Sequence, residues 1–218
     1  MYYMEYLNQI INNYKIMEKI EIHPFEPFIP EAATKLIIGT IPPSRFCKIP
    51  QELSPEDVNF YYGSKDNEFW PLIQTIFNKD FKYENSIAAI EQRKALLTEV
   101  SIGITDIVEE CFRTDNGSSD KSLKIIKYKD LKSLLVNNSD IKTLIYTSEF
   151  VKTQVNSYFH TYHSIIDKDN KKRQTVMIEK KPYNVRILYS PSPQALRNMG
   201  ENGAMLRLEQ YREFLVNE

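Results

Sequence analysis

The sequence has few of the residues on which metal sites depend. It contains two cysteines, Cys47 and Cys111, and three histidines in 218 residues. The cysteines are far apart and form no CxxC pair, which argues against a zinc site and fits a reducing cytoplasm. The histidines, His23, His160 and His163, are too scattered for a metal cluster. We therefore expect a cytoplasmic protein that needs no metal ion and no other cofactor.

Long hydrophobic runs, internal repeats and low-complexity segments are also absent. No apolar run approaches the roughly 20 residues of a membrane span. The first 20 residues have neither a basic region nor a cleavage site of a signal peptide, so we read them as mature chain. Hydrophobic residues make up 42% and charged residues 26%, which is ordinary for a globular protein. We expect a helical extension over residues 1–22, a single domain over 23–218, no membrane partner and a monomer.

Net charge is −1, but the charge is unevenly distributed. Residues 121–186 contain fourteen Lys or Arg and six Asp or Glu, so they carry +8 while the rest of the chain carries −9. The densest spot is KDNKKR at 168–173. A solvated loop explains such a run, and a face that binds phosphates explains it as well.

Apolar runs alternate with amphipathic segments along the chain. Four runs have the character of buried strands: 35–40, 102–107, 141–148 and 184–190. Helices are expected at about 4–20, 68–77, 86–99, 127–137, 149–160 and 202–217. Residues 174–183 could add a strand or hairpin arm beside the fourth strand. This order predicts an α/β fold with three αβα layers around a central, mainly parallel four-stranded sheet.

Three unusual segments are expected at one edge of that sheet. Ligands of open α/β sheets bind beyond the carboxyl ends of the strands. GTIPPSRF at 39–46 follows the first strand, and SPSPQALRNMG at 190–200 follows the fourth. The aromatic stretch FYYGSKDNEFW at 60–70 comes shortly after the first of these.

Together these segments resemble the uracil-DNA glycosylase superfamily, and most of all its hypoxanthine-DNA glycosylase and mismatch-specific branches. IIGTIPPS at 37–44 matches a strand that ends in Gly-x-x-Pro. ILYSPSP at 187–193 is similar to the strand that ends in a His-Pro-Ser or Asn-Pro-Ser loop. YYGSKDNEFW at 61–70 matches the aromatic residue, short loop and Asn-x-Phe-Trp of the mismatch type. GITDIV at 103–108 and GSSDKS at 117–122 add to a resemblance that covers about residues 23–215.

The resemblance implies a monofunctional DNA glycosylase that hydrolyses the glycosidic bond of a flipped, deaminated base, hypoxanthine or uracil, in base excision repair. DNA containing such a base would be its partner, and no metal would be needed. The lack of a cysteine cluster excludes the iron–sulfur branches. Two other functions remain open: a nucleic-acid-binding module that has lost catalysis, and a hydrolase of free nucleosides or nucleotides.

The residues that the resemblance implies for base binding come from two segments, and they are Gly39, Thr40, Ile41, Pro42, Tyr62 and Gly63. Tyr62 would stack on the flipped ring, a contact worth roughly 1–3 kcal/mol, with Tyr61 as the alternative. Both tyrosines could instead pack against the core. Gly39 would let the backbone approach the base, and N–H groups of this loop would receive charge that develops on the leaving base.

Asn67 is the implied catalytic residue. Other branches place Asp or Asn two residues after the motif glycine, where this chain has Ile41, which can neither activate nor hold water. The amide of Asn67 would hold the water against the sugar carbon. Asn is also a favoured N-cap, and with Pro71 in the first turn a capping role competes with the catalytic one.

The implied DNA-binding residues are Ser44, Ser190, Pro191, Ser192, Pro193, Leu196 and Arg197. The serines would bind phosphates, the prolines would fix the loop, and Leu196 or Arg197 would be inserted as a wedge. Ser190 stands where several branches have His, which weakens an expectation of strong uracil activity. A plain Pro-rich turn is the alternative. Asp106 is expected to cap a helix or to face the pocket, and Ser118, Ser119 and Asp120 are expected to form a turn and a helix start.

Overall fold

The structure, a computed structural model, describes residues 20–114, 120, 123–161, 164–167 and 170–217. Its strands, in chain order, are β1 Ile20–Ile22, β2 Lys35–Gly39, β3 Ile102–Asp106, β4 Val108–Arg113, β5 Leu123–Tyr128, β6 Thr143–Tyr146, β7 Ser164–Ile166, β8 Arg173–Ile178 and β9 Lys181–Ile187. Its helices are α1 Ser44–Cys47, α2 Phe69–Phe77, α3 Ile87–Glu99, α4 Leu131–Asn137, α5 Glu149–Phe159, α6 Pro193–Arg197 and α7 Gly203–Arg212, followed by a π-helical turn at Glu213–Asn217.

The central sheet contains the four predicted strands and two more. Its order is β3-β2-β6-β9-β8-β7. The first four strands are parallel, as the sequence predicts, whereas β8 and β7 add to β9 in antiparallel pairing. The four-stranded sheet is therefore corrected to a mixed sheet of six strands. The turn between β8 and β9 has positive φ at Glu179 and Lys180, and without Gly or Asn at these positions the usual sequence signal of a tight hairpin is missing.

A second sheet was not predicted. It is antiparallel, with the order β1-β4-β5. β4 follows β3 where a turn or helix was expected, and β5 occupies the start of the expected helix at 127–137, which begins only at Leu131. Ile20–Ile22 is a strand rather than the end of a helix, and residues 1–19 lie outside the described part of the chain.

The helices begin where capping residues indicate. Ser86 accepts a hydrogen bond from the Ala89 N–H (3.2 Å) at the start of α3, as predicted. Ser148 in the same way accepts from the Val151 N–H (3.2 Å) at the start of α5. Within the described residues, no helix is both long and apolar enough to cross a membrane.

The sheet is covered on both faces, which confirms the three layers. Side chains of successive strand residues point to opposite faces. Leu36 and Ile38 pack in a core cluster with residues of α4 and α5. Ile37, between them, belongs to a second cluster with residues of α2, α3 and α7. The carboxyl ends of β2, β3, β6 and β9 consequently share one edge, which carries the candidate site.

Candidate functional site

The predicted segments after β2 and β9 and the stretch 60–70 meet at the carboxyl edge of the sheet. The Glu68 N–H donates to the Pro191 carbonyl oxygen (3.1 Å), which joins the start of α2 to the loop after β9. The Tyr62 side chain reaches the end of β2 at Gly39. Segments far apart in the chain therefore build one region.

The loop before α2 is fixed by the buried carboxylate of Asp57. It accepts hydrogen bonds from Arg45 Nε and Nη2 (2.7 Å each) and from the N–H groups of Ser54 (2.8 Å) and Lys65 (2.9 Å). Burial acts to raise the pKa of Asp57, but these hydrogen bonds outweigh it and leave the pKa lowered. Gly63 closes the same loop, because a Cβ there would lie 1.8 Å from the Val58 carbonyl oxygen.

Tyr62 has a strained backbone, and one face of its ring is in contact with another aromatic residue. Its φ is 54°, a left-handed conformation that is uncommon outside glycine. One face of the ring stacks on Phe69 at 4.4 Å, and the hydroxyl donates to Thr147 Oγ1 (2.9 Å). Burial, with a further contribution from Asp106, raises the pKa of Tyr62 well above its usual value. The phenol is therefore a neutral donor. Tyr61, in contrast, is fully buried in the core.

Glycine is required at position 39 because two side-chain groups lie too close to its Cα to leave room for a Cβ. A Cβ at this position would lie 2.1 Å from Tyr62 Oη and 2.2 Å from Asp106 Oδ1. Asp106 is buried, and its other oxygen accepts a hydrogen bond from His23 Nε2 (2.8 Å). A strand, β4, follows Asp106, so its expected role as a helix cap is wrong. The buried carboxylate instead has its Oδ1 close to Gly39 at the end of β2.

The loop after β2 is surrounded by further charged groups. Burial raises the pKa of Asp120 to about 6, although a hydrogen bond with Thr40 and the charge of Arg113 oppose this shift. Arg113 Nη2 donates to the Pro42 carbonyl oxygen (2.7 Å). Ile41 packs against the core cluster. Ser118 and Ser119 lie outside the described residues, and Ser44 is the first residue of α1.

Asn67 lies two residues before the first residue of α2, with Glu68 at the N-cap position between them, and uses one end of its amide at the helix start. Its Oδ1 accepts a hydrogen bond from the Phe69 N–H (2.9 Å), a contact that satisfies a helix-start donor. Its Nδ2 makes no hydrogen bond to the described residues and remains a donor. The Asn67 side chain can therefore serve both roles, with Oδ1 at the helix start and Nδ2 as a donor to a water molecule.

The loop after β9 uses its serines locally. Ser190 Oγ accepts from the Ser192 N–H (3.3 Å), and Ser192 Oγ accepts from the Ala195 N–H (3.2 Å), which caps α6. Pro193 is the first residue of that helix. Leu196 is half-buried and Arg197 is exposed.

Arg207 is a site residue that sequence reasoning missed. It is 2% exposed, forms an ion pair with Glu68, and donates from Nη1 to the carbonyl oxygens of Ser190 (3.2 Å) and Ser192 (3.4 Å). It therefore holds the start of α2 against the loop after β9. An arginine in a polar helix predicts a surface position, so no sequence signal pointed to it.

A cleft of about 490 Å³ lies on the outer side of the stretch 60–70. Its lining comes from the loop before α2, the first turn of α2, the loop before α3 and the second turn of α3: Glu56, Tyr62, Gly63, Ser64, Lys65, Asp66, Asn67, Trp70, Pro71, Tyr83 and Arg93. Residues 39–42 and 190–197 are not among them. Tyr62 thus contributes both to this cleft and, through its hydroxyl, to the buried polar groups at Gly39. In the part of the chain that the structure describes, no group of His, Cys, Asp or Glu is arranged to hold a metal ion.

Comparison with known proteins gives a fold but no family. No protein-family model matches the chain, and no curated protein matches it. A solved structure with a similar fold is the solution NMR structure of a "putative Uracil DNA glycosylase" from Methanosarcina acetivorans. It is 18% identical, covers 89% of this chain and 98% of its own, and has a TM-score of 0.55. At this identity the likeness shows the fold, which is the one that the motif resemblance predicts.

Proposed function

We propose that the chain is a monofunctional DNA glycosylase that hydrolyses the N-glycosidic bond of a deaminated base, hypoxanthine or uracil, in base excision repair. It would act as a monomer in the cytoplasm on DNA that carries such a base. The observation that carries the proposal is the convergence of Tyr62 Oη and Asp106 Oδ1 on Gly39, at the sheet edge where this fold binds ligands. The fold shared with a protein named for the same activity supports it.

Asp106 gives a chemical reason for selecting deaminated bases. Hypoxanthine and uracil carry a ring N–H next to a carbonyl, whereas adenine and cytosine have an unprotonated acceptor nitrogen in that place. A carboxylate accepts from the N–H and is repelled by the acceptor. His23 holds one carboxylate oxygen, which leaves Oδ1 directed towards Gly39. The Tyr62 ring would stack on the base, and its hydroxyl would stay with Thr147.

Bond cleavage would need little covalent chemistry from the protein. The glycosidic bond breaks towards an oxocarbenium-like state, so a correctly held water is sufficient. Asn67 has a free Nδ2 donor for that water, and its Oδ1 is fixed by the helix start. The backbone of residues 39–42 would stabilise negative charge on the leaving base. Thr40, Ile41 and Pro42 would shape this wall.

DNA would lie across the carboxyl edge. The hydroxyls of Ser44, Ser190 and Ser192 would donate to phosphates, and Pro191 and Pro193 would keep the loop shape. Arg197 is exposed and suits the wedge, whereas Leu196 lies close to the start of α7, 3.4 Å from where a Cβ on Gly203 would be.

The basic residues at the turn before β8 also support a DNA path along the carboxyl edge of the sheet. Arg173 pairs with Arg186 near the end of β9, so the turn before β8 lies at the carboxyl edge. Lys172 Nζ is 5.5 Å from the centre of the Tyr189 ring, next to the loop after β9. The positive charge of this part of the chain is therefore close to the proposed DNA path.

The test is a strand-scission assay. Single- and double-stranded oligonucleotides with uracil, hypoxanthine or xanthine are incubated with the protein, and abasic sites are cleaved with alkali. We expect scission with at least one of these bases. Asn67→Ala should reduce the rate by about 100-fold or more, whereas Asn67→Asp keeps the acceptor for the Phe69 N–H and serves as the control for helix capping. An Asn67→Ala protein that is folded and retains the wild-type rate would show that Asn67 only caps α2.

The alternative is a DNA-binding module without catalysis. It is favoured by Ile41, which packs against the core and offers no group for water, and by the use of Asn67 Oδ1 at the helix start. Binding without scission would support it. Activity confined to free nucleosides or nucleotides would instead support a nucleoside hydrolase.

A further inference from the structure

Arg93, on α3, is a buried cation in the wall of the cleft. Its side chain is 0% exposed. Nη1 donates to the carbonyl oxygens of Lys82 (2.9 Å) and Ala89 (2.7 Å), whereas Nε and Nη2 have no hydrogen-bond partner among the residues that the structure describes. Burial lowers the pKa of Arg93 to about 10, so the group still carries its charge at neutral pH. Two charged donors are thus desolvated without an acceptor.

Aromatic rings surround the guanidinium but cannot replace an acceptor. The rings of Trp70, Phe81 and Tyr83 have their centres 5.2, 5.1 and 5.2 Å from Arg93 Cζ. Each such contact contributes about 0.5–2 kcal/mol, but a ring face attracts the charge as a whole and offers no lone pair to the Nε–H and Nη2–H donors. Trp70 and Phe81 are buried, whereas Tyr83 is 40% exposed. The Tyr83 ring is therefore the side from which a ligand could approach.

The other charged side chains of the cleft have partners of opposite charge. Lys65 Nζ is 3.8 Å from Glu56, and Asp66 is 3.5 Å from Arg45 Nη2. Arg93 is the charged lining residue of this described cleft that has no carboxylate beside it. The charge that would balance it is not supplied by these residues.

We propose that the cleft is a binding site for a phosphate-type oxyanion, with two oxygens of the ligand accepting Nε–H and Nη2–H of Arg93. These two donors lie on one edge of the planar guanidinium, which matches two oxygens of a phosphate. The Tyr83 ring turns outwards to admit the oxyanion. The cleft, at about 490 Å³, leaves room for the sugar or base attached to it.

Two sources supply this chemistry: a phosphate of a DNA strand and the phosphate of a free nucleotide. Because Asn67 and Tyr62 line the same cleft, a DNA phosphate there would flank the flipped nucleotide, and this assignment alone rests on the proposed function. The oxyanion site itself rests on Arg93 and does not require glycosylase activity.

Trp70 makes the site directly measurable. It is the single tryptophan of the chain, it lines the cleft, and it contacts the guanidinium. Its fluorescence is titrated with inorganic phosphate, with a nucleoside 5′-monophosphate and with a short single-stranded oligonucleotide, at constant ionic strength kept with chloride. We expect a saturable change with phosphate. A lower half-saturation concentration with the oligonucleotide would identify DNA as the source, and with the monophosphate a free nucleotide.

The variants separate Arg93 from general charge. Arg93→Met should abolish the saturable change, while Lys94→Gln, which removes the same charge from the neighbouring, half-buried position of α3, should retain it. Tyr83→Glu places a carboxylate of the chain beside Arg93 and should raise the half-saturation concentration of phosphate at least tenfold. This variant tests the site even if Arg93→Met does not fold. No saturable response in the wild-type protein, or equal responses in the wild-type and Tyr83→Glu proteins, would overturn the proposal. Phosphate binding with no strand scission would leave the oxyanion site standing and reject the glycosylase.

Discussion

Arg207 and Arg93 are both buried arginines on helices beside the stretch 60–70, and they differ in the side chains that surround the guanidinium. Each donates to two backbone carbonyl oxygens. Arg207 also has the carboxylate of Glu68, whereas Arg93 has three aromatic rings and, among the described residues, no carboxylate. A buried charge that is paired within the chain makes loss of its partner costly, and a buried charge without a carboxylate partner can be neutralised by a ligand.

The carboxylates of the site show the same contrast. Asp57 has Arg45 and two N–H donors, and its pKa is lowered. Asp120 is largely removed from water with a hydrogen bond from Thr40, and its pKa is raised. Asp57 therefore belongs to the framework of the loop before α2, and Asp120 belongs to the part of the site whose charge can change.

Arg207→Met should give the largest loss of stability. It leaves Glu68 without its partner and frees two carbonyl oxygens of the loop after β9. Complete loss of a partner from a buried pair costs about 3–5 kcal/mol; because Glu68 is partly exposed, we expect roughly 2–3 kcal/mol. Urea unfolding measures it, and Arg212→Met, at an exposed position of the same helix, is the control. A loss no larger than that of the control would contradict the role of Arg207 as a link between the two segments.

Glu68→Gln should make Arg207 resemble Arg93. The arginine keeps its carbonyl contacts but loses the neutralising charge, so we expect a loss of about 1–2 kcal/mol. The change should also make the site around Arg207 sensitive to added phosphate, which would raise the midpoint of urea unfolding in the variant more than in the wild-type protein. Equal stabilisation of both proteins by phosphate would contradict this part of the comparison.

Arg93→Met should cost less than either change at the Arg207 pair. The substitution loses two hydrogen bonds to carbonyl oxygens, but it also removes a desolvated charge that has no carboxylate partner, and the thioether packs well against aromatic rings. We expect a loss of about 1 kcal/mol or less in urea unfolding. A loss as large as that of Arg207→Met would mean that Arg93 serves the core rather than a ligand.

Periodicity in the sequence predicted the parts of the fold that depend on local pattern. The four parallel strands follow from short apolar runs, and α3 and α5 lie close to the ranges 86–99 and 149–160 expected for them. Residues 174–183 were offered as a strand or hairpin arm and contain most of β8, whereas β4 was not predicted, because its pairing depends on tertiary contacts rather than on local residue preferences. The motifs located the segments of the site, but not the buried arginines or the His23 contact of Asp106. Burial of a charge depends on partners that are distant in the chain.

Asp120 should give the smallest effect, and its sign can be worked out from the raised pKa. The ordinary pKa of an aspartate carboxyl is 3.8 and the pKa of Asp120 in the fold is about 6, so the folded state binds the proton more tightly than the unfolded state. The stability that this group contributes is full below pH 3.8 and is lost as the pH rises through 6. Asp120→Asn imitates the protonated form, so the free energy of unfolding of the variant should rise relative to that of the wild-type protein between pH 4 and pH 7. Because Asp120 is partly exposed, we expect roughly 0.5–1 kcal/mol rather than the full value of the shift. Urea unfolding at four pH values measures the difference; a difference that does not change with pH would show that Thr40 and Arg113 keep Asp120 ionised, as Arg45 keeps Asp57.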